Sequence, residues 1–169
     1  SVKTSVIKEL TSIFSKNVRF VPGHPVAGTE HSGPESGFAE LFEGRWCILT
    51  PSPDSDMAAV EIVRQFWKNA GSQVELMDAE HHDLVLAITS HLPHLIAYNI
   101  VGTAEDLEVV TESEVIKYSA GGFRDFTRIA ASDPIMWRDI FLNNKGNMIN
   151  TINMFIKNLK IFKKNIKNS

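Results

Sequence analysis

Apolar and polar positions along the first half of the chain follow two different periods. Over 1–15 and again over 54–69 the apolar residues recur at the spacing of a helix with one buried face. Between these segments, short apolar runs that stop at proline or glycine indicate buried strands. The predicted order is a helix over 1–15, strands over 19–25 and 45–51, a helix over 54–69 that stops at Gly71, and a strand over 73–77. This alternation is typical of an α/β layer with parallel strands.

The pattern changes after Met77. Asp78 is placed to cap a long helix, and the residues that follow, through Ile100, are apolar on nearly every side. Such a helix is expected inside a bundle or an interface, and Pro93 is expected to bend or break it. Further helices are predicted over 111–118, over 120–128, from a start at 132–134, and over 147–166.

The two halves therefore predict two kinds of domain. Residues 1–78 are expected to form a partial Rossmann-like α/β unit, and residues 79–169 an all-α helical domain. Three strands with one exposed flank leave a sheet edge unpaired, which natural domains usually avoid. We therefore expect further strands of this sheet to precede Ser1.

Composition narrows the functional class. The 169 residues are 43% hydrophobic, enough for a substantial core, and the net charge of −3 gives no reason to expect nucleic acid as a partner. The single cysteine, Cys47, cannot form an internal disulfide, and the first residues lack the apolar run of a secretory signal. The longest apolar stretch, 84–101, is interrupted by polar residues, so no membrane span is predicted. We expect a cytoplasmic protein that acts on a small molecule, with the lysines of the last helix on a solvated face.

Six histidines are candidates for chemistry, in three pairs: His24 and His31, His81 and His82, and His91 and His94. The second pair falls in the first turn of the long helix, where we expect both side chains to be exposed or to serve the cap. The third pair shares a helix face at a spacing that a metal site can use, but core or surface histidines are commoner at such positions. A metal-dependent hydrolase built on the first and third pairs is therefore kept as an alternative.

Three other features are placed to bind a ligand. Ser90 and His94 share one face of an apolar helix, so they either line a polar cavity or satisfy each other. The loop 24–33 follows a strand end, where open α/β sheets bind ligands, although an ordinary glycine-rich turn has the same composition. Arg124 and Arg128 offer a two-point contact to a carboxylate, the alternative being a surface ion pair of negligible energy.

Four segments together resemble the prephenate/arogenate (cyclohexadienyl) dehydrogenase family in order and spacing. They are HPVAGTEHSG at 24–33, GRWCILTP at 44–51, HHDLVLAITSHLPH at 81–94 and GGFRDFTRIAASDPIMWRDIFLNN at 121–144. Each motif alone is weakly specific, but the four in register span nearly the whole chain. The opening SVK is similar to a segment just after the middle of the family's nucleotide-binding domain. The resemblance implies that the GxGxxG turn and the ribose-binding acidic residue of that domain lie before Ser1.

The resemblance also implies a reaction in tyrosine biosynthesis. It is the NAD- or NADP-dependent oxidation of prephenate or arogenate with loss of carbon dioxide, which gives 4-hydroxyphenylpyruvate or tyrosine. His24 matches the family's histidine that accepts the hydroxyl proton, and Ser1 matches the serine beside that histidine and the nicotinamide. Arg128 matches the arginine that binds a substrate carboxylate.

Other positions match the family's substrate pocket. They are Ser90 and His94 on the long helix, Gly28, Thr29 and Glu30 in the loop over the substrate, and Arg124, Asp125 and Trp137 in the helical half. Glu30 is placed to pair with Arg124 and gate the pocket, and no metal is implied. The resemblance also implies a homodimer through the helical domain, in which either subunit contributes Asp125 and Trp137 to a given site. The rival hypothesis is an inactive fragment that serves only as a helical dimerisation module.

Overall fold

The computed structural model describes residues 1–15, 17–28, 33–111 and 118–168. The chain forms two compact units, Ser1–Leu86 and Ala87–Ser169, and each is described by itself. The sequence pattern placed the division at residue 78. The contacts place it after Leu86, because the helix that follows Asp78 begins by packing against the first helix of the chain.

The first unit is a small sheet with helices. Its elements are α1 (Thr4–Ile13), β1 (Gly23–Pro25), β2 (Trp46–Leu49), α2 (Met57–Asn69), β3 (Gln73–Leu76) and α3 (Ala79–Leu86). The strands lie in the order β1-β2-β3, with β2 parallel to β3 as α2 crosses between them. The expectation of parallel strands throughout is wrong for β1, which runs antiparallel to β2. A parallel pair needs a crossover element, whereas the described part of the link between β1 and β2 holds only a 3-10 turn at Pro34–Ser36.

The core of the first unit lies between the sheet and α2. Cys47, Leu49 and Val60 are its buried centre, and partly buried side chains surround them: Val21, Val63, Trp67 and Val74. Asp56 begins α2 by accepting hydrogen bonds from the backbone nitrogens of Ala58 and Ala59, at 2.8 and 3.4 Å. The apolar spacing and the cap together explain why this segment is a helix.

Gly71 ends the turn after α2 in a conformation that other residues avoid. Its φ is +87°, and a Cβ atom built there would lie 3.0 Å from Cγ and 3.1 Å from Cα of Glu43. The predicted glycine stop is therefore confirmed, and it holds for two reasons: the backbone is left-handed, and the neighbouring chain leaves no room.

The second unit is all helical. A π-helical turn at Ala87–His91 leads into α4 (Leu92–Thr111), and then come α5 (Gly121–Ala130), α6 (Pro134–Asn143) and α7 (Lys145–Asn168). Helix α5 packs on α4, and α7 contacts α4, α6 and the π-helical turn. Asp133 caps α6 through the backbone nitrogens of Ile135 and Met136, with Pro134 in the first turn as predicted. The irregularity expected at Pro93 occurs just before it, in the π-helical turn.

The predicted fold class, a partial Rossmann-like unit followed by a helical domain, is confirmed. The predicted helix start at Asp78 is also confirmed, because its side chain accepts hydrogen bonds from the backbone nitrogens of Glu80 and His81. The helix predicted over 111–118 falls mostly outside the described residues.

The helical stretch Ala79–Leu107 is long and apolar. By length and composition alone these 29 residues, which contain an 18-residue window with a mean hydropathy of 1.5, could cross a membrane. Apolar helices inside a core or an interface meet the same criteria. This stretch also carries buried polar side chains, among them His82, Asp83 and His91, so its hydropathy does not by itself indicate a membrane.

Replacing Gly71 by alanine is expected to destabilise the first unit by about 1–2 kcal/mol, because a left-handed backbone disfavours a Cβ atom. The crowding against Glu43 adds to this cost. Gly102→Ala is the matched control: Gly102 lies inside α4, and a Cβ atom added there would meet no atom within 4 Å, so the change should be neutral or stabilise by up to about 1 kcal/mol. Urea unfolding of both variants would contradict this account if Gly71→Ala were as stable as Gly102→Ala.

Candidate active site

A line of hydrogen bonds joins β1 to α3 within the first unit. Nδ1 of His24 lies 2.8 Å from Nε2 of His82, and Nδ1 of His82 lies 2.9 Å from Oδ1 of Asp83. The two imidazole rings meet edge to face, with centroids 5.0 Å apart. His24 therefore stands at one end of a polar chain that terminates on a carboxylate.

Asp83 is held by the start of α1 as well as by His82. Its Oδ1 accepts from the backbone nitrogen of Lys3 at 2.8 Å, and its Oδ2 accepts from the backbone nitrogen of Thr4 at 3.0 Å and from the Thr4 hydroxyl. Burial alone raises the pKa of Asp83, but the hydrogen bonds from His82, Thr4 and Lys3 outweigh it and lower the pKa to about 2. The carboxyl is thus ionised at neutral pH although it is only 1% exposed.

The expectation that His82 is exposed or serves the cap is wrong. Its side chain is fully buried between His24 and Asp83, whereas its neighbour His81 is exposed as predicted. The helix places consecutive side chains about 100° apart, so one of two adjacent histidines can face inward while the other faces solvent. No local spacing in the sequence distinguishes the two histidines; the contacts of His82 with His24 and Asp83 do.

His24 lies within β1 (Gly23–Pro25), inside the strand predicted over 19–25 and at the start of the loop predicted to follow it. It pairs with Ile48 of β2, and its neighbour Gly23 lies so close to Leu49 that an added Cβ would be 3.0 Å from Cδ2. Backbone pairing with β2 therefore fixes the position of the imidazole.

Two further titratable side chains belong to this surrounding. Burial lowers the pKa of Lys3 even though the Asp83 carboxylate opposes the shift. Burial raises the pKa of the Cys47 thiol to about 11, so this thiol is not a nucleophile at neutral pH.

The second unit holds a separate cluster around His94. Its ring stacks on Trp137 with centroids 3.6 Å apart and an interplanar angle of 18°. Its Nδ1 donates to the backbone carbonyl of Ser90 at 2.9 Å, a bond that does not involve the Ser90 hydroxyl, so the two alternatives for these side chains, a polar cavity or a mutual bond, stay predictions. Burial lowers the pKa of His94, and the Ser90 carbonyl only partly opposes this, so the ring is favoured in its neutral form.

Trp137 lies between this cluster and an apolar groove. The groove has a volume of about 400 Å³ and is lined by Tyr98, Pro134, Trp137, Arg138, Phe141 and Leu142. Within the described part of the chain the buried indole nitrogen of Trp137 has no hydrogen-bond partner. His91, also buried, accepts from the Asn144 side-chain amide at 3.2 Å.

The remaining predicted site residues are either exposed or outside the described residues. Ser1 and Gly28 are exposed, and Thr29 and Glu30 lie outside the described residues, so the predicted gate between Glu30 and Arg124 stays a prediction. Arg124, Asp125 and Arg128 are exposed on α5, and none of them forms an ion pair within 1–15, 17–28, 33–111 and 118–168. In the same ranges no group of three or more potential metal ligands occurs.

Comparison with known families matches both units. Residues 1–76 match the nucleotide-binding domain of prephenate dehydrogenase, and residues 78–169 match the dimerization domain of prephenate dehydrogenase.

Individual relatives agree with these matches. The chain is 46% identical to a cyclohexadienyl dehydrogenase of Zymomonas mobilis over 95% of its own length and 54% of that protein. It is 36% identical to a prephenate dehydrogenase of Bacillus subtilis, over 94% of the chain and 43% of that protein. A crystal structure of prephenate dehydrogenase from A. aeolicus, in complex with hydroxyphenyl propionate and NAD+, superposes with a TM-score of 0.90 at 46% identity, covering 99% of this chain and 58% of that one. The chain thus spans about half the length of the curated relatives it matches.

The titration of Asp83 should appear in the stability of the first unit. Because folding lowers its pKa from 3.8 to about 2, the ionised carboxylate stabilises the folded state above pH 4, and this contribution is lost as pH falls from 4 towards 2. The contribution is about 2 kcal/mol. Asp83→Asn should therefore lower the free energy of unfolding at pH 6, and its difference from the parent should shrink by pH 2. Asp54→Asn, an exposed carboxyl before α2, is the control. A difference for Asp83→Asn that stays constant over this range would contradict the assignment.

Proposed function

The chain belongs to the prephenate dehydrogenase family, and from this premise we propose that the complete protein oxidises prephenate or arogenate with NAD or NADP and releases carbon dioxide. The observation that carries the proposal in this chain is the imidazole of His24, seated on β1 and bonded through His82 to an ionised carboxylate. A histidine so placed can accept a proton and have the resulting charge balanced nearby.

The reaction needs a base beside the ring hydroxyl. As the hydroxyl-bearing carbon of the substrate loses a hydride, its C–O bond becomes a carbonyl, and the hydroxyl proton must leave. His24 takes that proton in our proposal, and loss of the carboxylate as carbon dioxide completes the aromatic ring. Much of the driving force comes from aromatisation, so the protein mainly supplies orientation and proton acceptance.

NAD or NADP supplies hydride acceptance when bound. Ser1 and His24 are the residues of this chain that we propose lie beside the nicotinamide. Ser1 is exposed and stands two residues before Lys3, whose backbone nitrogen donates to Asp83, so it lies near the carboxylate that His24 reaches through His82. The choice between NAD and NADP depends on residues that the family places upstream.

Substrate binding is proposed for the second unit. Arg128 is the carboxylate ligand, and its exposed guanidinium on α5 is accessible for a two-point contact. His94 stacks on Trp137, and burial favours its neutral form; it can accept a hydrogen bond at Nε2 because its Nδ1 donates to Ser90. The remaining proposed contacts are Ser90, Gly28, Thr29, Glu30, Arg124, Asp125 and Trp137.

We propose a homodimer, which the match to a dimerization domain and the exposed apolar side chains on α7 support. Those side chains are Ile149, Met154, Ile156, Leu159, Ile161, Phe162 and Ile166. Such a surface on a single chain favours burial against a second copy. We propose the cytoplasm as the compartment and expect neither nucleic acid nor membrane as a partner.

The second candidate function is a dimerisation module without activity. It rests on the match of residues 78–169 to the dimerization domain of prephenate dehydrogenase. NADH or NADPH formation with prephenate or arogenate should be measured for the chain as given and for the complete translated protein that contains it. Activity in the complete protein supports the dehydrogenase, whereas a dimer with no turnover in either form supports the module.

His24→Ala in the complete protein should abolish proton acceptance and lower kcat about 10²- to 10⁴-fold. In the parent, activity should fall at acid pH as the base takes up a proton, since only the neutral ring can accept one. His81→Ala, which removes an exposed histidine, is the matched control. Near-normal turnover of His24→Ala would remove the assignment.

Arg128→Lys should cost about 2–5 kcal/mol in kcat/KM, because an ammonium cannot reproduce the two-point contact of a guanidinium with a carboxylate. Arg64→Lys on α2, which keeps its charge beside Glu61, should leave kcat/KM unchanged. If steady-state kinetics showed Arg128→Lys to be equal to the parent, Arg128 would not be the carboxylate ligand.

A further inference from the structure

We propose that Asp83 and His82 are positioning residues that act through His24, holding its ring in the tautomer with the proton on Nδ1 and the lone pair on Nε2. The catalytic meaning of this tautomer rests on the proposed function. The tautomer itself is a property of the first unit and can be measured without any substrate.

The tautomers of His82 and His24 follow from the donors and acceptors that join them to Asp83. Asp83 is ionised, so its Oδ1 can only accept, and Nδ1 of His82 must carry the proton between them. A neutral His82 then has its lone pair on Nε2, which lies 2.8 Å from Nδ1 of His24. Nδ1 of His24 must donate to it, and a neutral His24 therefore carries its lone pair on Nε2.

The same hydrogen bonds, from His24 through His82 to Asp83, favour proton uptake at Nε2 of His24. The added charge can stay on His24, or the Nδ1 proton can shift to Nε2 of His82, which places the charge next to the Asp83 carboxylate. In both arrangements the proton taken from the substrate ends on Nε2 of His24, and the atoms balance. The carboxylate thus stabilises the protonated state without touching the substrate.

Contacts from several elements hold Asp83, His82 and His24 in an arrangement that selects one tautomer of His24. Asp83 and His82 are 1% and 0% exposed, and the carboxylate is bonded to the backbone of Lys3 and Thr4 at the start of α1. His24 is fixed from the other side by the pairing of β1 with β2. Rotation of the Asp83 carboxylate away from His82 would break its hydrogen bonds to α1. The order of donors and acceptors from His24 through His82 to Asp83 is therefore fixed.

Other titratable groups in this surrounding stay the same in the variants used below. Two of them lie beside the hydrogen-bonded residues His24, His82 and Asp83: Lys3 before α1 and the Cys47 thiol on β2. The His82 and Asp83 side chains themselves come from α3. A protonated Lys3 opposes a positive charge on His24, whereas ionised Asp83 favours it. Removing the Asp83 charge alone should therefore make proton uptake harder, and the acid limb of activity should move to lower pH.

The direct test is the ring-nitrogen spectrum of the protein labelled with ¹⁵N at histidine. At a pH where His24 is neutral, Nδ1 should give the shift of a protonated nitrogen and Nε2 that of an unprotonated one. His24→Ala assigns the signals. A neutral His24 with its proton on Nε2 overturns the proposal, whatever the activity of the protein.

Asp83→Asn tests the cause. An amide nitrogen facing Nδ1 of His82 forces the His82 proton onto Nε2, and His24 must then carry its own proton on Nε2; an amide oxygen facing it keeps the parent tautomer and accepts from Lys3. In both orientations the charge is lost, so we expect an acid limb at lower pH, and where the tautomer inverts we expect kcat lowered about 10³-fold with KM changed little. Retention of the parent tautomer together with the parent pH profile in a folded Asp83→Asn protein overturns the proposal.

A second pair of variants covers the case in which Asp83→Asn does not fold. His82→Gln offers a carbonyl of similar reach to the Nδ1 proton of His24, whereas His82→Leu offers nothing. We expect kcat of His82→Gln to exceed that of His82→Leu at least about tenfold, with the parent tautomer kept only in His82→Gln. Equal kcat and equal tautomers in the two variants count against the proposal, and His81→Gln serves as the unaffected control.

The proposed function and the positioning role of Asp83 and His82 can be contradicted separately. A complete protein that shows the expected tautomer but no turnover with prephenate or arogenate contradicts the proposed function and leaves the positioning chain intact. Turnover that is lost in His24→Ala but unchanged in kcat and pH profile in Asp83→Asn and His82→Leu keeps the function and removes the chain.

Discussion

The buried carboxylate of Asp83 is the interaction on which the first unit depends. An ionised carboxyl without partners would cost several kcal/mol in such a place. Here the donors come from different elements: the backbone and hydroxyl at the start of α1, and the ring of His82 on α3. Through His82 the same anion reaches His24 on β1. One charge therefore joins two helices and a strand, and it has both a structural and an electrostatic role.

His94 in the second unit has surroundings that differ from those of His24. His94 is stacked on an indole and bonded to a neutral carbonyl, and no carboxylate is joined to it within the described residues. Burial therefore lowers its pKa, whereas His24 is connected to an anion. In the proposed enzyme the two rings divide the work on this basis. His24 accepts and holds a proton, and His94 stays neutral and offers a fixed hydrogen bond.

Local patterns in the sequence predicted most of the elements, because a helix or strand reports its own burial through the spacing of its apolar residues. The caps at Asp78 and Asp133 and the glycine at Gly71 follow from chemistry within a few positions. The direction of β1 and the inward face of His82 did not follow. Both depend on contacts across the fold, and His24 and His82 are 58 positions apart. Resemblance to a family supplied the role of His24, but it said nothing of the carboxylate behind that residue.

Two surfaces of the protein, the outer edge of β3 and the apolar side of α7, need different kinds of contact. β3 has no second neighbour among the described strands, and α7 exposes a row of apolar side chains. An open sheet edge is completed by hydrogen bonds from another strand, whereas an apolar helix face is completed by close packing. We expect a further strand to complete the sheet edge and a second copy of the chain to cover the helix. Because the needs are independent, a chain that dimerises through α7 can still lack turnover, and dimerisation alone is no evidence of activity.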